Sequence, residues 1–191
     1  AGQLLADGTV DQRGRDARIH AAGQAEDHLL GADLVAYARH RLADVVAGHT
    51  DLLSGPASQT LAAGGKRLRP LLVFCSAPDR RSNQQALVSA ASAVELVHMA
   101  TLVHDDIIDH AALRRGRPTV AQAQGPDVAL RVGDFLFARA FAELTHTGHS
   151  RAVQALAASA LDLSRGELLQ QAAEHDLDLT EQAYLKRCWG K

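Results

Sequence analysis

The run His98-Met-Ala-Thr-Leu-Val-His-Asp105-Asp106-Ile-Ile-Asp109 sets an acidic cluster beside a basic one, because Leu113-Arg114-Arg115-Gly116-Arg117-Pro118 follows almost at once. On a helix, Asp105 and Asp109 fall i and i+4 on one face, with His98 two turns earlier on nearly the same line. Two carboxylates one turn apart, with no cysteine nearby, suit a hard cation held through oxygen. Mg2+ would complete its octahedron from waters and phosphate oxygens. Arg114, Arg115 and Arg117 suit the anions such a cation bridges. The combined chemistry is that of a diphosphate site. Taken alone, the five residues Asp105–Asp109 would be an ordinary solvated face or a set of ion pairs. Their context argues otherwise: Leu87 to Val103 is almost wholly apolar or small, so the carboxylates end a helix that must be buried. Carboxylates in that position are costly unless neutralised, and a bound metal would neutralise them.

A second basic constellation lies upstream, in Ala63-Gly64-Gly65-Lys66-Arg67-Leu68-Arg69-Pro70. Paired glycines let the backbone turn sharply, and Lys66 and Arg69 could then project onto one anion. In isolation the segment also reads as a helix C-cap followed by charges.

These residues need a scaffold, and the 191-residue chain, 47% hydrophobic, is long enough to build one domain with a substantial core. Twenty basic and 22 acidic residues give a net charge of −2, so no global field recruits nucleic acid. Cys75 and Cys188 form no C-x-x-C pair, which argues against structural zinc and a disulfide framework; Cys75 is expected in the core. A reducing cytoplasm is the default location. Ala86 to Val103 is interrupted by Ser89, Ser92, Glu95, His98 and Thr101, so no transmembrane segment is expected. Ala1 to Arg18 has no signal-type apolar core.

Residues 1–25, rich in Gly, Gln, Asp and Arg, read as a loose arm, and 26–191 as one helical domain. Apolar spacing gives helices over Glu26–Val46, Asp127–Thr145 and His149–Ala173, beside the helix of the acidic motif. Gly55-Pro56 should interrupt the chain ahead of a short helix ending at Ala62. Pro70 should open a helix over Leu71–Ala77. Pro78–Asn83 reads as a polar connector, and Thr180 as the cap of a final helix. No useful strand alternation appears, and Ala-rich windows favour close helix packing, so the expected class is all-α. Neither G-x-G-x-x-G nor a P-loop signature is present, against a nucleotide-binding α/β fold.

From about Leu61 to Lys191 the chain resembles the trans-isoprenyl diphosphate synthases, or polyprenyl synthetases. The resemblance rests on AGGKRLRP, VELVHMATLVHDDIIDHAALRRGRPT, VGDFLFARAF and SRGELLQQ, all in the family's order. It implies an isoprenoid-synthase-type helical bundle around a central cavity, and condensation of isopentenyl diphosphate with an allylic diphosphate such as geranyl or farnesyl diphosphate. By that likeness Asp105 and Asp109 bind Mg2+, with Asp106 supporting, and Lys66, Arg69, His98 and Arg115 take the isopentenyl diphosphate. Arg114 and Lys191 take the allylic one; Lys191 matches the lysine of a K-T motif, without its threonine. Ala100 and Thr101 stand where the family sets product length. Their small size favours a medium or long chain, with Phe135, Phe137 or Phe141 able to close the tunnel deeper down. Glu167, Gln170 and Gln171 resemble a GE..Q segment that faces the cavity. The family's usual state is a homodimer.

The chain stops before the family's second aspartate-rich motif, so the bundle is expected to be incomplete at its C-terminus and the segment alone inactive. Two rivals are a non-catalytic subunit of a heteromeric prenyl synthase, against which the intact DDIID and RRGRP argue, and a class I terpene cyclase, which ordinarily lacks GGKRLRP. The remaining histidines, His20, His28, His40, His49, His146, His149 and His175, are expected at the surface. His104 and His110 flank the carboxylates without being preferred Mg2+ ligands.

Overall fold

The computed structural model describes residues 31–47, 51–77 and 83–191. The expected N-terminal arm, the start of the first helix, His20, His28, His49 and most of the 78–83 connector lie outside them. The described chain runs α1 (Gly31–Ala47), α2 (Asp51–Ala62), α3 (Leu68–Ser76), α4 (Gln84–Ile108), β1 (Leu113–Arg114), β2 (Arg117–Pro118), α5 (Val120–Gln124), α6 (Pro126–Thr145), α7 (Ser150–Ala172) and α8 (Glu181–Gly190). Their starts are written in local chemistry. Asn83 accepts the Ala86 N–H at 3.0 Å ahead of α4, Thr119 accepts from Gln122 ahead of α5, and Thr180 accepts from Ala183 ahead of α8. Pro126 occupies the first turn of α6, where its missing N–H costs nothing.

Helix α4 is the axis, and it packs most extensively against α6. Leu96, Met99, Ala100 and Val103 of α4 meet Val132, Leu136 and Ala140 of α6, with Leu42 and Val46 of α1 completing the main cluster. A smaller cluster joins Leu34 and Ala38 of α1 to Phe74 of α3 and to Val88 and Ala91 of α4. Glu143 of α6 has no exposure, and Arg41 of α1 donates to both its oxygens at 2.9 and 3.0 Å, tying α1 to α6. By length and composition α4 could cross a membrane, contrary to the sequence expectation, and it is the one such helix among the described residues. Its apolar window is 56% buried inside the protein, as befits a core helix.

The structure corrects four expectations. Gly55-Pro56 does not break a helix: α2 runs through both, because Pro56 and Ala57 are buried in the core and packing outweighs the one lost backbone bond. Helix α3 starts at Leu68 rather than Leu71, with Pro70 still in its first turn. A two-stranded hairpin pairs Leu113 with Pro118 and Arg114 with Arg117. Cys75 is exposed, since α3 turns Phe74 inward one position earlier.

Candidate functional site

At the end of α4 the three aspartates part company. Asp105 is half-buried, Asp109 is exposed and closes the helix by donating its N–H to the Asp105 carbonyl at 2.7 Å, and Asp106 is buried. The backbone then swings out through His110, in the left-handed region at φ 50°, into the hairpin. At its tip Arg115 and Gly116 both have positive φ, 52° and 75°, as tight two-residue hairpin turns require. That turn folds two arginines back onto the protein. Arg114 reaches Asp106 Oδ1 through Nε at 2.8 Å and Nη2 at 2.7 Å, while Arg115 donates to the Gly64 carbonyl of the glycine loop. Gly65 has to be glycine here: a Cβ would lie 2.9 Å from Arg115 Nη1, at a φ of 148°. Asp106, expected to support the metal-binding pair, holds Arg114.

Arg67, which sequence reasoning passed over, turns inward from the loop and pairs with Glu95 of α4, and it donates to the Leu61 carbonyl at 2.8 Å. The loop thus lies against α4 at the level of His98. His98 is half-buried, and its pKa is held below the usual histidine value first by burial and then by Arg69, Arg115 and Arg67, with Glu95 opposing. Arg69, exposed, is among the charges acting on it, and Lys66 is exposed on the glycine loop. Four of the expected isopentenyl-side residues are thereby either at His98 or on the loop that reaches it. The signal for Arg67 was available in one form: a Glu three residues before His98, inside a long apolar run, demands a buried cationic partner.

The acidic side gains a neighbour from α7. The pKa of Asp105 is raised first by burial, then by Glu167, with Asp109 adding to the rise and Lys191 and Arg114 opposing it. Lys191 Nζ forms an ion pair with Glu167 and donates to Gln170 Oε1 at 3.1 Å. Two glycines let α8 press this close to α7: a Cβ on Gly166 would sit 3.0 Å from the Gly190 carbonyl carbon, and one on Gly190 would sit 2.9 Å from the Asp162 carbonyl oxygen. Gln171 is exposed. Behind Asp105, His104 lies across Gly133 of α6, stacks on Phe137 with centroids 5.9 Å apart, and sets Nε2 3.3 Å from the Leu130 carbonyl oxygen.

A cavity of about 310 Å³ opens between α2, the glycine loop, α4 and the hairpin, lined by His98, Met99, Leu102, Arg114, Arg115 and Val120 among others. It lies on the Asp106 side of α4. An adjoining face, with Val94, Val97, Thr101 and Asp105, is half-buried, and His98 stands at the edge between it and the cavity. Thr101 stands on that line, four residues before Asp105, whereas Ala100 has no exposure and sits within the main cluster. Among the described residues no three His, Cys, Asp or Glu side chains converge as a metal cluster.

This mostly helical bundle is shared by solved isoprenoid and polyprenyl synthase structures. Residues 50–191 match the polyprenyl synthetase family model, and the chain belongs to that family. It is 41% identical over 135 residues to heptaprenyl diphosphate synthase component 2 of Geobacillus stearothermophilus, covering 71% of this chain and 42% of that one. The structure of heptaprenyl diphosphate synthase from Staphylococcus aureus is similar with a TM-score of 0.77 and 33% identity, over 83% of this chain and 51% of that one. The polyprenyl synthase of Caulobacter crescentus CB15, complexed with calcium and isoprenyl diphosphate, gives a TM-score of 0.73 at 34% identity, over 81% and 47%. The chain thus spans about half the length of these relatives.

Proposed function

We propose that this chain carries the diphosphate-handling part of a polyprenyl diphosphate synthase, which joins isopentenyl diphosphate to an allylic diphosphate. One observation carries the reading: His98, with Arg69 and Arg115 about it, and Asp105, with Asp109 and Glu167 about it, lie two turns apart on α4. That spacing is about 10 Å along the axis, room for two diphosphates side by side. In this reading Lys66, Arg69, His98 and Arg115 bind the isopentenyl diphosphate, the neutral His98 imidazole donating a hydrogen bond without adding charge. Arg114 and Lys191 bind the allylic diphosphate and stabilise negative charge as it leaves. The apolar wall of α4 excludes water, which would otherwise capture the allylic cation.

Mg2+ fits the acidic end. Its donors are all oxygen, and the crowding of Asp105 by Asp109 and Glu167 is the situation a divalent cation relieves. Asp105 and Asp109 would hold it, with water and phosphate oxygens supplying the rest; when bound it provides Lewis-acid assistance to ionisation. Asp106 serves by holding Arg114. Thr101, and Ala100 behind it, set the room for the growing chain, and their small size favours a medium or long product. Residues 26–191 form the helical domain, and a cytoplasmic homodimer is the assembly we propose. A second reading, one component of a two-component synthase, is favoured by the relative named component 2.

The test is incubation of the full-length protein with farnesyl and isopentenyl diphosphates, with and without Mg2+. Elongated prenyl diphosphate formed only with Mg2+ supports the proposal, and absence of condensation under both conditions contradicts it.

A further inference from the structure

We infer that Arg67, through its buried pairing with Glu95, is a positioning residue that fixes the glycine loop against α4 and so makes Lys66, Arg69 and His98 one anion cradle. The inference deepens the isopentenyl diphosphate site proposed above and rests on that reading for its ligand. Three cations stand within four residues of the loop, and they divide. Lys66 and Arg69 are exposed, whereas Arg67 is 8% exposed and has its guanidinium committed to Glu95 and to the Leu61 carbonyl. A guanidinium so placed is unavailable to a ligand. Its backbone sits in the left-handed region at φ 52°, ψ 40°, a conformation that arginine holds only where its surroundings impose it.

The other end of the pairing explains its reach. Glu95 is 3% exposed and lies one turn before His98 on the same side of α4. One carboxylate therefore ties the loop to the helix turn that carries the imidazole. The Leu61 contact ties the same arginine to the last turn of α2, so the loop is braced from two elements. Arg115, held on the Gly64 carbonyl, closes the loop from the third side.

Positioning and simple electrostatics make opposite forecasts for Glu95→Gln. Removing a negative charge beneath a group of cations should, by Coulomb attraction alone, tighten an anion. Loss of the brace should weaken it. In the full-length protein, Glu95→Gln is expected to speed amide hydrogen exchange at residues 64–69 with α6 unchanged. It should weaken isopentenyl diphosphate about tenfold by calorimetric titration, a typical size for coupling through a packed contact. Mg2+-dependent binding of a non-hydrolysable allylic thiodiphosphate should change less than about twofold, since that site does not use the loop. Unchanged loop exchange, or isopentenyl diphosphate bound equally or more tightly, would overturn the inference. Loosened loop amides in a protein whose wild type binds no isopentenyl diphosphate would support the brace and refute the ligand. Should Glu95→Gln fail to fold, Arg67→Lys keeps the charge pair but loses the Leu61 contact, and the same readouts should move in the same direction.

Discussion

Arg114 and Asp106 meet across eight residues of chain, with both Nε and Nη2 of the arginine on one carboxylate oxygen at 2.8 and 2.7 Å. The pairing raises the Arg114 pKa, first through that hydrogen bond, and makes Asp106 the anchor of the hairpin. Asp106→Asn is therefore expected to cost about 1.5–3 kcal/mol of stability, the range for a hydrogen bond to a charged group. Denaturant unfolding checks it, and a loss below about 0.5 kcal/mol, the scatter of ordinary surface changes, would remove the anchor.

Asp105 should behave in the opposite way. Its pKa lies above the ordinary carboxylate value, so folding favours its protonated form: its contribution to stability is present below the unfolded pKa of 3.8 and is lost as pH rises through the folded value. Asp105→Asn should leave the melting temperature at pH 7 equal or higher, while Mg2+-dependent turnover falls by about 100-fold or more. Differential scanning fluorimetry and product assays on one preparation separate the two effects. A lower melting temperature with unchanged turnover would make Asp105 a structural residue.

For His98 the sign reverses. Its pKa is depressed below 6.5, so it contributes stability above the unfolded pKa that is lost as pH falls through the folded value. Between pH 7.5 and 5.5 the wild type should lose more melting temperature than His98→Gln. An NMR titration of the ring should show a pKa that rises when isopentenyl diphosphate binds; parallel melting curves would contradict this.

How much of this was legible in the residues follows from where the information lay. Helices α4, α6, α7 and α8 were readable because their apolar spacing and the Thr180 cap are local signals. Long-range pairing is written more faintly: Glu95 in its apolar run calls for a buried cation without naming Arg67, and the capture of Asp106 by Arg114 and the burial of Glu143 beneath Arg41 emerged only from the fold. Pro56 misled for the same reason: its helix is held by tertiary packing that overrides a local breaker. The match of Lys66, Arg69, His98, Asp105 and Lys191 to a known order of motifs named these residues. The fold sets Arg69 near His98 and Lys191 near Asp105.

Gly133 provides a test of how α6 seats the acidic end of α4. A Cβ there would lie 2.1 Å from His104 Nε2, against a ring already stacked on Phe137. Gly133→Ala should cost about 1–3 kcal/mol by overpacking. Adding His104→Ala should recover part of that loss in a double-mutant cycle, and strict additivity would exclude the contact.

Chain length should respond more cleanly at Thr101 than at Ala100. Thr101 is half-buried on the line leading to Asp105, whereas Ala100 has no exposure in the main cluster. Thr101→Phe should shorten the product with little change in melting temperature. Ala100→Phe should shorten it at a cost of about 1–3 kcal/mol. Mass spectrometry of the prenyl products decides, and an unchanged product distribution in both would reject this wall of the tunnel.

The central claim is that two diphosphates bind at opposite ends of two turns of α4, one through cations and one through metal. The most direct measurement is paired calorimetric titration of isopentenyl diphosphate and a non-hydrolysable allylic thiodiphosphate, with and without Mg2+, in wild type, Arg69→Ala and Asp105→Asn. The expected result is isopentenyl binding that persists without Mg2+ and fails in Arg69→Ala, and allylic binding that requires Mg2+ and fails in Asp105→Asn. Competition of both ligands for one site, with a common response to the two substitutions, would contradict it.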